Sequence, residues 1–242
     1  MTSSGPSVRT FERRNPVSGE VASVTVAMDV AQAVEAAQAA SSALPAWAAL
    51  GPNARRAKLM QVAAAIEARG EALVEAMMAE TGATEAWSRF NLMLGASIFR
   101  EAAALTTQIN GEVIPSDKPG CLALALREPV GVVLGIAPWN APIILGVRAI
   151  AVPLACGNTV VLKASELSPR THALIVDACH EAGLDGGIVN LVTNASEDAA
   201  AVVGALIDHP AVRRINFTGS TSVGRIIAER AARNLKPCLL EL

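Results

Sequence analysis

Four stretches combine residue types that can do chemistry with a place at the end of an apolar run. In Gly135-Ile136-Ala137-Pro138-Trp139-Asn140-Ala141-Pro142 an asparagine stands between two prolines. So rigid a loop can aim a neutral N–H₂ donor at a developing oxyanion, although Asn is equally a common turn residue. Lys163, Ser165 and Glu166 follow the run Val160-Val161-Leu162. Lys163 can hydrogen-bond sugar hydroxyls, and Glu166 can accept from a 2′-hydroxyl while repelling a 2′-phosphate. The alternatives there are a surface ion pair, or an acid early in the next helix where its charge suits the dipole. Phe217-Thr218-Gly219-Ser220-Thr221-Ser222-Val223-Gly224 leads into the helical pattern Arg225-Ile226-Ile227-Ala228. Strand, glycine turn and helix would set backbone N–H groups and a positive helix end beside a phosphate. Gly219 and Gly224 lie five apart, however, which is not GxGxxG spacing, and a turn without a ligand stays open. Lastly, Pro237-Cys238-Leu239-Leu240-Glu241-Leu242 sets an acid within an apolar strand. Desolvation there would raise its pKa and suit it to general-base work; a merely exposed acid is the alternative.

The elements that must position these groups change period midway. Up to about residue 118 the pattern is mainly helical. Asp29 with Gln32 makes a capping-box start before Val30, Val34 and Ala37, and Leu59, Val62 and Ile66 repeat the spacing. A segment with Leu73, Val74, Met77 and Met78 ends at Gly82, a glycine suited to a C-cap. A long helix is expected from Thr84 to Ile109, with Phe90, Leu94, Ile98, Leu105 and Ile109 on its packed face. From residue 129 to 242, short Val/Ile/Leu runs at 130–136, 159–163, 188–192, 214–217 and 238–242 alternate with amphipathic segments. That alternation predicts an α/β fold: a Rossmann-like parallel sheet with flanking helices, behind a helical N-terminal region. Residues 119–128 read as an extra extended segment outside the series. Ligands of such sheets bind beyond the carboxyl ends of the strands, where the first three motifs fall.

Composition narrows the function classes. The 242 residues are 52% hydrophobic, enough for a sizeable core, and 20 Lys+Arg against 22 Asp+Glu give a net charge of −2 with no basic tract for nucleic acid. Residues 129–162 are apolar enough to suggest a membrane span. Pro138, Pro142 and Pro153 interrupt them, and Asn140, Arg148 and Asn158 would need partners in lipid, so buried parallel strands explain the run better. Cys121, Cys156, Cys179 and Cys238 form no CxxC pair, which fits reduced thiols rather than a disulfide scaffold or zinc site. Cys156 and Cys238 read as inert packing thiols. His172, His180 and His209 lack metal-ligand company and read as surface or helix-end residues, so no metal is expected. Trp47 and Trp87 read as core or interface anchors. Residues 1–14 are polar and lack the apolar stretch of an export signal.

In this order the four motifs resemble the aldehyde dehydrogenase superfamily, over essentially the whole chain. Asn15-Pro16 with Gly19-Glu20 resembles its N-terminal signature, and Arg127-Glu128-Pro129-Val130-Gly131 its lead into the first cofactor strand. The resemblance implies that residues 1–242 form an NAD(P)-binding domain, with NAD preferred to NADP. Its cofactor contacts would come from Ile136, Ala137, Pro138, Trp139, Lys163, Ser165, Glu166, Phe217, Thr218, Gly219, Ser220, Val223 and Gly224. Asn140 is similar in place to the family's oxyanion donor, and Glu241 to its general base, the first residue of a Glu-Leu-Gly-Gly-Lys signature of which two residues are present. The implied reaction is attack of a thiolate on an aldehyde, hydride transfer to nicotinamide, and hydrolysis of the thioester by water that Glu241 activates. An aldehyde is the implied substrate, with a lean towards the bacterial aromatic branch of salicylaldehyde and vanillin dehydrogenases. A cytoplasmic homo-oligomer is implied for the full protein, with residues 119–128 taking part in association. Ser222 departs from the Glu that many members carry. The family's cysteine nucleophile and catalytic domain are expected to lie beyond residue 242, so this chain alone is expected to be inactive and to expose apolar surface. An inactive dinucleotide-binding or scaffold module is the alternative.

Overall fold

The computed structural model describes residues 8–184 and 186–242. Residues 1–7, half of the stretch read as lacking an export signal, lie outside the described residues. In chain order the elements are β1 (Thr10–Arg14), β2 (Val21–Val26), α1 (Val30–Ala48), α2 (Pro52–Ala68), α3 (Gly70–Thr81), α4 (Glu85–Leu105), β3 (Glu112–Ile114) and β4 (Ala123–Ala125). The alternating part follows: β5 (Val132–Ile136), α5 (Pro142–Ala155), β6 (Thr159–Lys163), α6 (Pro169–Glu181), β7 (Val189–Val192), α7 (Ala199–Asp208), β8 (Val212–Thr218), α8 (Thr221–Arg233) and β9 (Cys238–Glu241).

Five parallel strands form one sheet in the order β7-β6-β5-β8-β9. The chain winds outwards from β5 in both directions, which leaves a crevice at the carboxyl ends of β5 and β8. Side-chain alternation explains why the strands read as unbroken apolar runs. In β6, Val160 and Leu162 enter the core beneath α2, α4, α5 and α6, while Val161 enters the other beneath α1, α7 and α8. With helices on both faces no polar residue is needed between them. Among the described residues no helix is long and apolar enough to cross a membrane.

Local signals set the helix ends. Asp29 Oδ1 accepts from Gln32 N at 2.9 Å and Gln32 Oε1 from Asp29 N at 3.0 Å, closing the capping box of α1. Gly82 ends α3 in the left-handed region, at φ +70. The expected packed face of α4 is displaced. Leu94 and Ile98 pack partly buried against the core as expected, but Phe90 and Leu105 are exposed, whereas Ser88, Asn91, Gly95, Phe99 and Ala102 are buried. Close approach to α5 is the reason: a Cβ on Gly95 would lie 3.0 Å from Ile143 Cγ2, so small residues, not the largest ones, face the neighbouring helix. Two elements were not expected. β1 and β2 form an antiparallel hairpin, and β3, which precedes the expected extended segment, pairs with β4 inside it as a separate ribbon with exposed Val113, Leu122, Leu124 and Leu126.

Candidate active site

Strand register aligns the motif residues along one edge of the sheet. Ile136 of β5 lies beside Lys163 of β6 on one flank and Phe217 of β8 on the other, and Thr218 lies beside Glu241 of β9. At the usual strand spacing, Lys163 and Phe217 are about 10 Å apart across β5. Ala137 and Pro138 continue β5 inwards, whereas Trp139 and Asn140 are exposed.

The most fully built feature is a polar corner after β6. Lys163 is buried and its Nζ donates to Oε1 of the half-buried Glu166. The same oxygen accepts from Asn194 Nδ2 at 2.9 Å, while Oε2 has no side-chain donor among the described residues. Asn194 is buried just beyond β7 and its Oδ1 has no partner among the described residues. Burial works to raise the Glu166 carboxyl, but the Lys163 charge and hydrogen bond, with those from its own backbone and Asn194, hold it below its ordinary value. The Lys163 ammonium is pushed down by burial, which outweighs the support of Glu166. Between the two, Ser165 Oγ accepts from Leu167 N at 3.2 Å and Ser165 N donates to His172 Nδ1 at 3.2 Å.

His172, read as a surface or helix-end residue, is fully buried in the first turn of α6. Burial is the main reason that its pKa falls from 6.5 to about 4; the Lys163 charge adds to this, and the Pro142 carbonyl and Glu166 oppose it. The folded chain therefore keeps the ring neutral where the unfolded chain would protonate it. Stability is complete above pH 6.5, and on acidification to about pH 4 this group alone removes about 3 kcal/mol. Urea titrations at pH 7 and pH 4.5 should show a markedly smaller loss in His172→Leu than in the wild type. Equal losses would contradict the assignment.

Asn140 follows β5 with its carboxamide unengaged among the described residues, and its carbonyl accepts from Trp87 Nε1 at 3.1 Å. Trp87 is thus neither core nor solvent-facing spectator: it is 42% exposed, stacks on Phe90 at 5.5 Å between ring centroids, and borders the asparagine loop. Trp47 is buried as expected. Asn91 of α4 props the same region, since its Oδ1 accepts from Ile144 N at 3.5 Å in the first turn of α5.

At the glycine turn, Ser220 caps α8 by accepting from Val223 N at 3.4 Å, and Gly219 N donates to Glu241 O at 3.0 Å. Thr218 is half-buried and Val223 exposed. The space the two glycines open is taken by protein: a Cβ on Gly219 would lie 2.5 Å from Phe217 Cζ, and one on Gly224 would strike Leu242. The turn is thus shaped around the Phe217 ring, and the first-turn amides of α8 are the feature left to meet an anion.

Glu241 is not desolvated. Its side chain is 52% exposed and pairs with Arg148 of α5, because β9 is the edge strand of the sheet among the described residues. Both residues line a cavity of about 950 Å³ with Cys156, Arg214 and Leu240, whereas Asn140, Lys163 and Glu166 do not. The structure thus brings Lys163, Ser165 and Glu166 together, and leaves Asn140 and Glu241 in separate surroundings. The thiols lie elsewhere. Cys156 follows α5 at the amino edge of the sheet, Cys238 begins β9 level with Ile215 and Leu134 in the middle of the sheet, and Cys179 is buried in α6. Cys156 is exposed rather than packed; desolvation still raises its thiol against the pull of Arg55 and Arg214. Burial raises the Cys179 thiol, and desolvation the Cys238 thiol. Cys121, on the approach to β4, is exposed. Among the described residues no group of three or more His, Cys, Asp or Glu side chains could hold a metal.

Asn194, His172 and Trp87 are the site residues that motif reading missed. Asn194 alone had a usable signal, its place just past an apolar run.

The sequence profile of the aldehyde dehydrogenase family matches residues 3–242. A vanillin dehydrogenase of Pseudomonas fluorescens is 61% identical over 234 residues, which cover 97% of this chain and 48% of the relative. A crystal structure of a salicylaldehyde dehydrogenase from Pseudomonas putida G7, complexed with salicylaldehyde, aligns with a TM-score of 0.94 at 49% identity, covering 96% of this chain and 48% of that one. A NAD-dependent benzaldehyde dehydrogenase from Corynebacterium glutamicum aligns with a TM-score of 0.92 at 32% identity, covering 98% and 51%. The chain spans about half the length of the curated relatives it matches. By sequence and by fold, it belongs to the aldehyde dehydrogenase family.

Proposed function

We propose that residues 1–242 form the dinucleotide-binding part of a cytoplasmic, homo-oligomeric, NAD-dependent dehydrogenase that oxidises an aromatic aldehyde to its acid. The Lys163–Glu166–Asn194 corner carries the reading. It is polar, largely buried and placed at the carboxyl edge, and Glu166 Oε2 remains for a ribose hydroxyl. Those residues fit the adenosine ribose of NAD, and the first-turn amides of α8 fit its phosphates better than the glycines do. When bound, the nicotinamide supplies the hydride acceptor. The free carboxamide of Asn140 donates to the substrate oxygen as that oxygen gains negative charge. Glu241 accepts the proton of the hydrolytic water, once its contact with Arg148 is released. The exposed β3–β4 ribbon supplies apolar surface for subunit association. An aromatic substrate accords with the relatives named above and with the Trp87–Phe90 stack beside the Asn140 loop.

With Cys156 at the amino edge of the sheet, Cys238 in the middle of β9's pairing with β8, Cys179 buried and Cys121 on the approach to the separate β3–β4 ribbon, none stands at the carboxyl edge beside Lys163 and Glu166, and the thiol nucleophile is assigned to protein outside these 242 residues. The chain mixed with NAD and vanillin or salicylaldehyde is then expected to form no NADH; cysteine-dependent NADH formation would overturn that assignment. Cofactor choice tests the corner itself. Glu166→Gln removes the charge that opposes a 2′-phosphate, so the preference for NAD over NADP measured by calorimetry should fall about tenfold, equivalent to about 1.4 kcal/mol. An unchanged ratio would count against Glu166 as the ribose acceptor.

A further inference from the structure

His172 touches the polar corner without belonging to any motif. Its Nδ1 accepts the Ser165 N–H at 3.2 Å, and this is the acceptor that the amide finds among the described residues. Ser165 is buried in the middle of the turn from Lys163 to Glu166, where an amide without an acceptor would be costly. On the opposite helix, a Cβ at Gly146 of α5 would lie 2.8 Å from His172 Cδ2 and 3.3 Å from Nε2, so the ring is seated where only glycine leaves room. The turn that carries His172 is itself fixed. The buried Glu80 of α3 accepts from Arg170 N at 2.8 Å, Thr171 N at 2.9 Å and Thr171 Oγ1 at 2.8 Å. On the other side of the ring, Nε2 is buried and finds no hydrogen-bond partner among the described residues.

We propose that His172 is a positioning residue: a neutral imidazole, protonated on Nε2, that braces α6 against α5 and holds the Ser165 amide, so that Lys163 and Glu166 keep the spacing a ribose requires. An Nδ1 that accepts carries no proton, which leaves the proton of the neutral ring on Nε2. The role in cofactor binding rests on the reading of the corner as a ribose site; the tautomer and the hold on Ser165 do not.

The test has two arms on the 242-residue chain. In the first, ¹⁵N-labelled histidine is read by NMR at pH 7, and the His172 signal is assigned by its disappearance in His172→Asn. An Nε2-protonated neutral ring is expected, with a Ser165 amide that exchanges at least about tenfold faster in His172→Leu and is protected again in His172→Asn, whose Oδ1 can replace the acceptor. A ring protonated on Nδ1, or a Ser165 amide indifferent to both substitutions, would overturn the proposal. In the second arm, the Kd for NAD is expected to rise about tenfold in His172→Leu and to stay within about threefold of wild type in His172→Asn. Wild-type affinity in both variants, with equal losses of melting temperature, would reduce His172 to packing. Absence of NAD binding by the wild type would remove the ribose reading instead, and the first arm would still decide the strut. Should His172→Leu fail to fold, the wild-type tautomer and His172→Asn carry the same decision.

Discussion

Glu80→Ala should lower the unfolding free energy by about 3–5 kcal/mol, the largest stability loss expected from a single substitution in the chain. Glu80 is fully buried, and its two carboxyl oxygens accept four hydrogen bonds. One comes from Ser23 Oγ of β2 at 2.6 Å and three from the first turn of α6. Its carbonyl also accepts from Arg13 Nε of β1 at 2.8 Å. Truncation would leave four donors without acceptors in a region closed to water, and would unpin the N-terminus of a helix whose orphan amides have no side-chain cap of their own. Glu80→Gln keeps the volume but turns one acceptor into a donor facing donors, so it should recover only part of the loss. Urea unfolding followed by circular dichroism measures both. A loss below about 1 kcal/mol for Glu80→Ala would mean that the network contributes no more than an ordinary surface contact.

The largest functional effect is expected at Lys163. Lys163→Met keeps the buried aliphatic stem and removes the ammonium, taking away both the proposed charged donor to the ribose and the cation that holds Glu166 in its charged form. A hydrogen bond involving a charged group contributes about 1.5–3 kcal/mol, which corresponds to about 10–100-fold in the Kd for NAD. The fold should tolerate the change, since the ammonium is already disfavoured by burial. Calorimetric titration, with a melting curve of each protein as the control, separates lost affinity from lost structure.

Legibility in the sequence followed the range over which each interaction acts. β6 could be read to the residue because its signal is local: four apolar or β-branched positions, Thr159 to Leu162, bounded by Asn158 and by Lys163 at the exit. The capping box of α1 and the Gly82 cap are equally local. Glu80 and His172 were opaque for the opposite reason. Each has ordinary neighbours in the chain, and what makes them matter lies 57 and 90 residues from Glu80 and on the turn before α6 for His172. The α4 face was misread because hydrophobic periodicity counts size, whereas the α4–α5 contact rewards the absence of it at Gly95. An acid in an apolar strand is desolvated only when both faces and the neighbouring edge are covered, and among the described residues Glu241 of β9 has Arg148 as its partner. The glycine turn carried a generic phosphate signal, yet its spacing serves the Phe217 ring.

Titration of the 242-residue chain with NAD, followed by calorimetry and by the fluorescence of the exposed Trp139, tests the central claim most directly. The account predicts saturable binding in the micromolar range, about −8 kcal/mol, that Lys163→Met weakens at least about tenfold while the melting curve stays cooperative. No binding up to about millimolar NAD by the folded wild type, or identical affinity in the folded Lys163→Met protein, would contradict it.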